Sequence, residues 1–129
     1  MGFINKLFGG TTVEKETKTL PWIALEAFAQ IDELIKKSNN KPQVIFKHST
    51  RCGISRMALN QFEESYAMSD DALDIYYLDL INFRDLSNEI ASRFQVWHES
   101  PQILVIKNEL AVTHASHGAI ADVNINKFI

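Results

Sequence analysis

The stretch Val44-Ile45-Phe46-Lys47-His48-Ser49-Thr50-Arg51-Cys52-Gly53-Ile54-Ser55 decides how the rest of the chain is read. Its first three residues form an uninterrupted apolar run, suited to a central strand buried on both faces. Beyond the cysteine, Ile54, Ala58, Phe62 and Tyr66 fall every four residues, the stripe of an amphipathic helix. The chain's single cysteine therefore stands at a strand-to-helix junction. With Thr50 as the cap, Cys52 falls in the first helical turn, where free N–H groups and the positive dipole end favour a thiolate. Lys47, Arg51 and Arg56 add positive potential, and Gly53 leaves room for a second molecule to approach. The alternative is a packed core cysteine, common for this residue type.

Outward from this junction the periodicity changes several times. Upstream, Ile23, Ala27, Ile31, Leu34 and Ile35 recur at helical spacing from Trp22, fading into Ser38-Asn39-Asn40 before Pro42. Downstream, Asp74-Ile75-Tyr76-Tyr77-Leu78 reads as a second strand. Asn82 is a plausible cap for a helix carrying Leu86, Ile90 and Phe94 on one face. Ile103-Leu104-Val105-Ile106 reads as a third strand, joined through Asn108-Glu109 as a tight hairpin to Leu110–His114. Ile120, Val123 and Phe128 predict a closing helix over 118–129. Met1 to Thr19, with Gly9-Gly10-Thr11-Thr12 as a breaker cluster, predicts an N-terminal arm before a domain over 20–129.

Two strand–helix–strand units followed by a hairpin give parallel pairing first and antiparallel pairing last. Right-handed crossovers restrict the topology further. The expected class is α/β, a central mixed sheet flanked by helices, of which the thioredoxin-like fold is the commonest realisation.

The bulk numbers bound the function. At 129 residues the chain is one domain's worth, and a net charge of −3 argues against a phosphate-tracking surface. No apolar stretch approaches the ~20 residues that span a bilayer, and the start is too short and interrupted for a signal peptide. One cysteine cannot form an intrachain disulfide, so the cytoplasm is the expected compartment. His48, His98, His114 and His117 with one cysteine fit no common structural zinc spacing, and no metal is expected.

Phe46 to Ser55 resembles the active-site segment of the monothiol bacilliredoxins, the YtxJ-like thioredoxin-fold proteins. The likeness continues through Tyr77-Leu78-Asp79-Leu80, Arg84-Asp85-Leu86-Ser87-Asn88 and Val96-Trp97-His98-Glu99-Ser100-Pro101-Gln102, and ends near Ala115-Ser116-His117. It covers roughly residues 20 to 129, several motifs in the same order. The resemblance implies thiol–disulfide exchange with bacillithiol, a low-molecular-weight thiol, as co-substrate and no tightly bound cofactor. It implies that Cys52 is the nucleophile and that Ser55 replaces the resolving cysteine of dithiol relatives. Pro101 would be the cis proline facing the active-site cysteine. Lys47, Thr50, Arg51, Gly53, Ser55, Ser100, Pro101 and His117 are then the expected contacts of the bound thiol. Ser55 would also bond the Cys52 thiolate.

The implied partners are bacillithiolated client proteins and the small thiol itself, with no nucleic acid and no membrane, the protein being a monomer or weak dimer. Two other classes compete. Cys52-Gly53-Ile54-Ser55 is similar to the Cys-Gly-Phe-Ser signature of monothiol glutaredoxins, which can share an iron–sulfur cluster between subunits. A non-catalytic thioredoxin-like interaction module, with the cysteine as packing, is the third class.

Overall fold

The computed structural model describes residues 20–69 and 71–129, so the arm read over Met1 to Thr19 lies outside the described residues. The elements run β1 (Trp22–Ala24), α1 (Phe28–Lys37), β2 (Gln43–His48), α2 (Gly53–Ser65), β3 (Asp74–Asp79), α3 (Arg84–Phe94), β4 (Gln102–Lys107) and β5 (Leu110–Ser116). Two 3₁₀ turns, His117–Asp122 and Ile125–Phe128, end the chain. The sheet order is β1-β3-β2-β4-β5. β3 is parallel to both β1 and β2, whereas β4 is antiparallel to β2 and to β5.

The apolar run decides the centre, as its composition predicts. All six residues of β2 are buried. Alternation along the strand sends Ile45 into a cluster with Ile31, Leu34, Ile90 and Leu104, beneath α1 and α3. Val44 and Phe46 face the other way, against Ala58 and Phe62 of α2 with Ile103, Val105 and Ile120. The sheet is thus covered on both sides, and the C-terminal end of β2 emerges between the layers.

Three sequence-based expectations need correction. Trp22 begins a strand, not a helix: Trp22–Ala24 pair with Ile75–Tyr77. The Trp22 ring lies 5.6 Å from that of Phe62 and 6.2 Å from that of Phe46. Its Nε1 donates to Glu63 at 2.9 Å, so tertiary contacts override the local period. The helix starts at Phe28, where the Gln30 side chain accepts the N–H groups of Glu26 and Ala27 at 2.7 and 2.9 Å.

The expected closing helix is instead the pair of 3₁₀ turns. Val123 is extended between them, and the Asn124 side chain accepts the Asn126 N–H at 3.1 Å, a local bond that competes with helix continuation. Asn82 is not the cap of α3 either. That position belongs to Phe83, while the Asn82 amide donates to Asp79 at 2.7 Å.

The hairpin is as expected. Asn108 and Glu109 have φ of 53° and 70°, the two left-handed residues of a turn whose twist matches its strands. Ser38, at the end of α1, holds it by accepting the Glu109 N–H on its hydroxyl at 2.8 Å and the Asn108 N–H on its carbonyl at 2.8 Å.

Candidate active site

The chain leaves β2 at His48 and turns over Ser49–Cys52, closed by the Cys52 N–H donating to the Ser49 carbonyl at 3.1 Å. The Arg56 N–H then donates to the Cys52 carbonyl at 3.0 Å, the first bond of α2. Cys52 is therefore the N-cap residue itself, with extended backbone (φ −108°, ψ 122°), and Thr50 is not the cap. Cys52 thus stands at the N-terminal end of the helix, where the free N–H groups of a first turn and the positive dipole end favour negative charge. Thr50 is exposed, and its carbonyl accepts from the Arg56 guanidinium at 2.9 Å, which ties the turn to the helix.

Cys52 is half-buried, and the positions flanking it, Arg51 and Gly53, are exposed. A side chain at Gly53 would meet nothing within 4 Å, so that flank is open to an incoming molecule. Ile54 and Met57, just inside the helix, are 64% and 61% exposed. They put exposed apolar surface on the first turn of α2, and Ile54, read from the sequence as the start of the buried stripe, is thereby corrected: of that stripe Ala58, Phe62 and Tyr66 are the buried members.

The proline loop arrives at the same end of the sheet. Antiparallel pairing sets Lys47 opposite Gln102, so Ser100 and Pro101 lie beside the turn that follows β2. The Ser100–Pro101 peptide is cis, as the resemblance implies. The Pro101 carbonyl accepts the His117 N–H at 3.0 Å, where the chain leaves β5 with a φ of 56° at His117. Thus the structure brings Cys52, Pro101 and His117 to one end of the sheet, on three separate connections.

Lys47 is elsewhere. Strand alternation turns it to the face opposite α2, where it is fully buried and its ammonium meets the Ser87 carbonyl of α3 at 3.4 Å. Burial, with Arg84 adding repulsion, pulls its pKa down to about 8. The expected surface contact between Lys47 and a bound thiol is therefore corrected. Among the described residues, Arg51 within the turn and Arg56 just after it are exposed cations. His98 lies on the Lys47 side too, its Nδ1 2.7 Å from the Ser87 hydroxyl. Burial, then Lys47 and Arg84, lower its pKa.

Ser55 is also not where the simplest reading put it. The side chain is wholly buried, its Oγ accepts the Ser49 N–H at 3.0 Å and lies 2.8 Å from Nδ1 of His48. The thiol of Cys52 makes no capping hydrogen bond, so a Ser55–Cys52 bond is not present in this form. Ser55→Ala would leave the His48 nitrogen and the Ser49 N–H without their partner, and stability should fall by about 1–3 kcal/mol. Urea unfolding of the variant measures this; an unchanged midpoint would contradict the bonding.

A family model described as monothiol bacilliredoxin BrxC matches residues 23–125. The chain belongs to the monothiol bacilliredoxin family. Among solved structures it is similar to a thioredoxin-fold protein described as a candidate oxidoreductase, at 37% identity and a TM-score of 0.65, over 76% of this chain and 84% of that one. The thioredoxins of Malassezia sympodialis and Nicotiana alata share the fold at 16% and 20% identity, each with a TM-score of 0.64. The first match covers 85% of this chain and 90% of that one; the second covers 89% and 98%. The fold is that of thioredoxin, and family and fold together make this bacilliredoxin relative a thiol oxidoreductase with one cysteine. Among the described residues, no group of three or more His, Cys, Asp or Glu side chains could hold a metal ion. No helix among them is long and apolar enough to cross a membrane.

Proposed function

We propose that the protein reduces mixed disulfides between bacillithiol and client proteins, in the cytoplasm, with Cys52 as its only nucleophile. The observation that carries this reading is the half-buried Cys52 at the N-cap of α2, followed three residues later by a buried serine in place of a second thiol. The Cys52 thiolate attacks the bacillithiol sulfur of the mixed disulfide. The client S–S bond breaks, the client sulfur leaves with the electron pair and takes a proton from water, and bacillithiol stays bonded to Cys52. With no second cysteine in the chain, a second bacillithiol thiolate must attack this new disulfide. That step yields bacillithiol disulfide and restores the Cys52 thiolate.

The order of attack follows from thiol chemistry, which favours an accessible thiolate and a good leaving thiolate. The open flank at Gly53, the exposed Thr50 and Arg51, and the His117 corner offer polar contacts for the carboxylate-bearing small thiol. Ser100 and Pro101 offer backbone on the opposite wall. Ile54 and Met57 supply apolar surface for the client. The test is release of bacillithiol from a bacillithiolated client with reduced bacillithiol supplied. Acceleration over the uncatalysed rate is expected. An inactive protein that instead binds iron and sulfide as a dimer would replace this reading with a cluster carrier.

A further inference from the structure

Between α2 and the C-terminal segment runs a groove of about 280 Å³. Ala58 and Phe62 line it from α2, and Ile120, Val123 and Ile125 line it from the other side. None of the residues lining it carries a charge, so an anionic ligand such as a carboxylate-bearing thiol finds no counter-charge there. Apolar side chains suit it, and the start of the chain carries a matching set. Phe3 and Leu7 are four residues apart, as are Ile4 and Phe8, so all four share one face of a short helix that Gly9-Gly10 would end. Asn5 and Lys6 fall on the opposite face. A helix of that length forms in water only when its apolar face is buried.

Residues 1–19 lie outside the described residues, and the described chain begins on this side of the sheet. Leu20 and Trp22 pack against the cluster that holds Phe62 and Ile120. The Trp22 ring lies 5.6 Å from that of Phe62, which also lines the groove. The attachment point of the arm and the groove thus lie on either side of α2, a separation of about 10–12 Å. Residues 9–19 reach about 36 Å when extended, enough to cross the helix. We propose that Phe3, Ile4, Leu7 and Phe8 of the same chain dock in this groove, their shared face against Phe62, Ile120 and Ile125. A tether of that length holds the segment at about millimolar effective concentration, which favours this occupant over a second copy. Docking is independent of the thiol chemistry at Cys52.

Trypsin cleavage at the Lys6–Leu7 bond of the full chain tests this, since docking buries Leu7. The initial rate should rise about five- to tenfold in Phe3→Ser, which removes one anchor and lies before the folded domain. Ile125→Asn, on the groove side, should raise it by a similar factor. The two changes together should add less than about twofold to either alone, because each releases the same arm. Circular dichroism checks that Ile125→Asn is folded; if it is not, Phe3→Ser alone decides. Protection in the parent should be unchanged on about hundredfold dilution of the protein. A parent cut as fast as Phe3→Ser would overturn the proposal. So would protection that disappears on dilution, which would assign the groove to a second copy. Protection that appears only with phosphatidylglycerol vesicles would overturn it too, by assigning the arm to a bilayer.

Discussion

Cys52→Ser is expected to bring release of bacillithiol from a bacillithiolated client down to the uncatalysed rate. Cys52 is the chain's only sulfur able to form a disulfide, and a serine hydroxyl at the same N-cap cannot form the S–S bond on which both exchange steps depend. Ser55→Ala should behave differently. It removes hydrogen bonds about the site, not the reacting atom, so it should tune the rate and lower stability without abolishing turnover. The two variants assayed at equal folded concentration separate chemistry from support. If Cys52→Ser turns over like the parent, the oxidoreductase reading of this site is wrong.

The second large effect concerns Lys47. Its ammonium is fully buried with one carbonyl at 3.4 Å, beside the charge of Arg84, and its pKa is pulled down to about 8. In the unfolded chain it would hold its proton to about pH 10.4. Between those values the unfolded state binds a proton that the fold has released, so this lysine makes stability rise with pH. Its penalty is fully present below pH 8 and corresponds to about 3 kcal/mol. Lys47→Met should therefore stabilise the protein by about 2–3 kcal/mol at pH 7, as apolar replacement of a buried charge can. The advantage should shrink as pH rises from 8 toward 10. Tyr76, pushed up to about 12 by burial and Asp74, acts in the opposite sense above pH 10. Hence the difference between parent and variant is the quantity to follow, by urea unfolding across pH. A less stable Lys47→Met at pH 7, or a difference that does not vary with pH, would contradict the burial argument.

The fold was legible where burial and period agree. Val44-Ile45-Phe46, the α2 stripe, Ile103–Ile106 and the Asn108-Glu109 turn each carry their signal in a few consecutive residues. β1 was not, because Trp22 and Ile23 continue the α1 spacing and only pairing with β3 makes them a strand. The C-terminal end was misread because three apolar residues, Ile120, Val123 and Phe128, outweighed the asparagine that interrupts them. At the site, the position of Cys52 followed from the strand-to-helix junction, and cis Pro101 followed from the family resemblance. What the sequence concealed is direction. Lys47 and His48 are neighbours on one strand, so one turns toward α3 and the other toward α2. Nearness in sequence to the cysteine, with the family resemblance, made Lys47 look like the ligand-facing cation. Alternation on a strand covered on both faces turns His48, not Lys47, toward α2, where it meets Ser55.

The most direct test of the central claim is mass spectrometry of the intact parent protein after mixing with a bacillithiolated client and no free bacillithiol. The first exchange step can then run and the second cannot. The account predicts that the released client is reduced and that one bacillithiol is disulfide-bonded to Cys52, removable by added bacillithiol. A client that keeps its bacillithiol, or an adduct in which the client itself is bonded to Cys52, would contradict it.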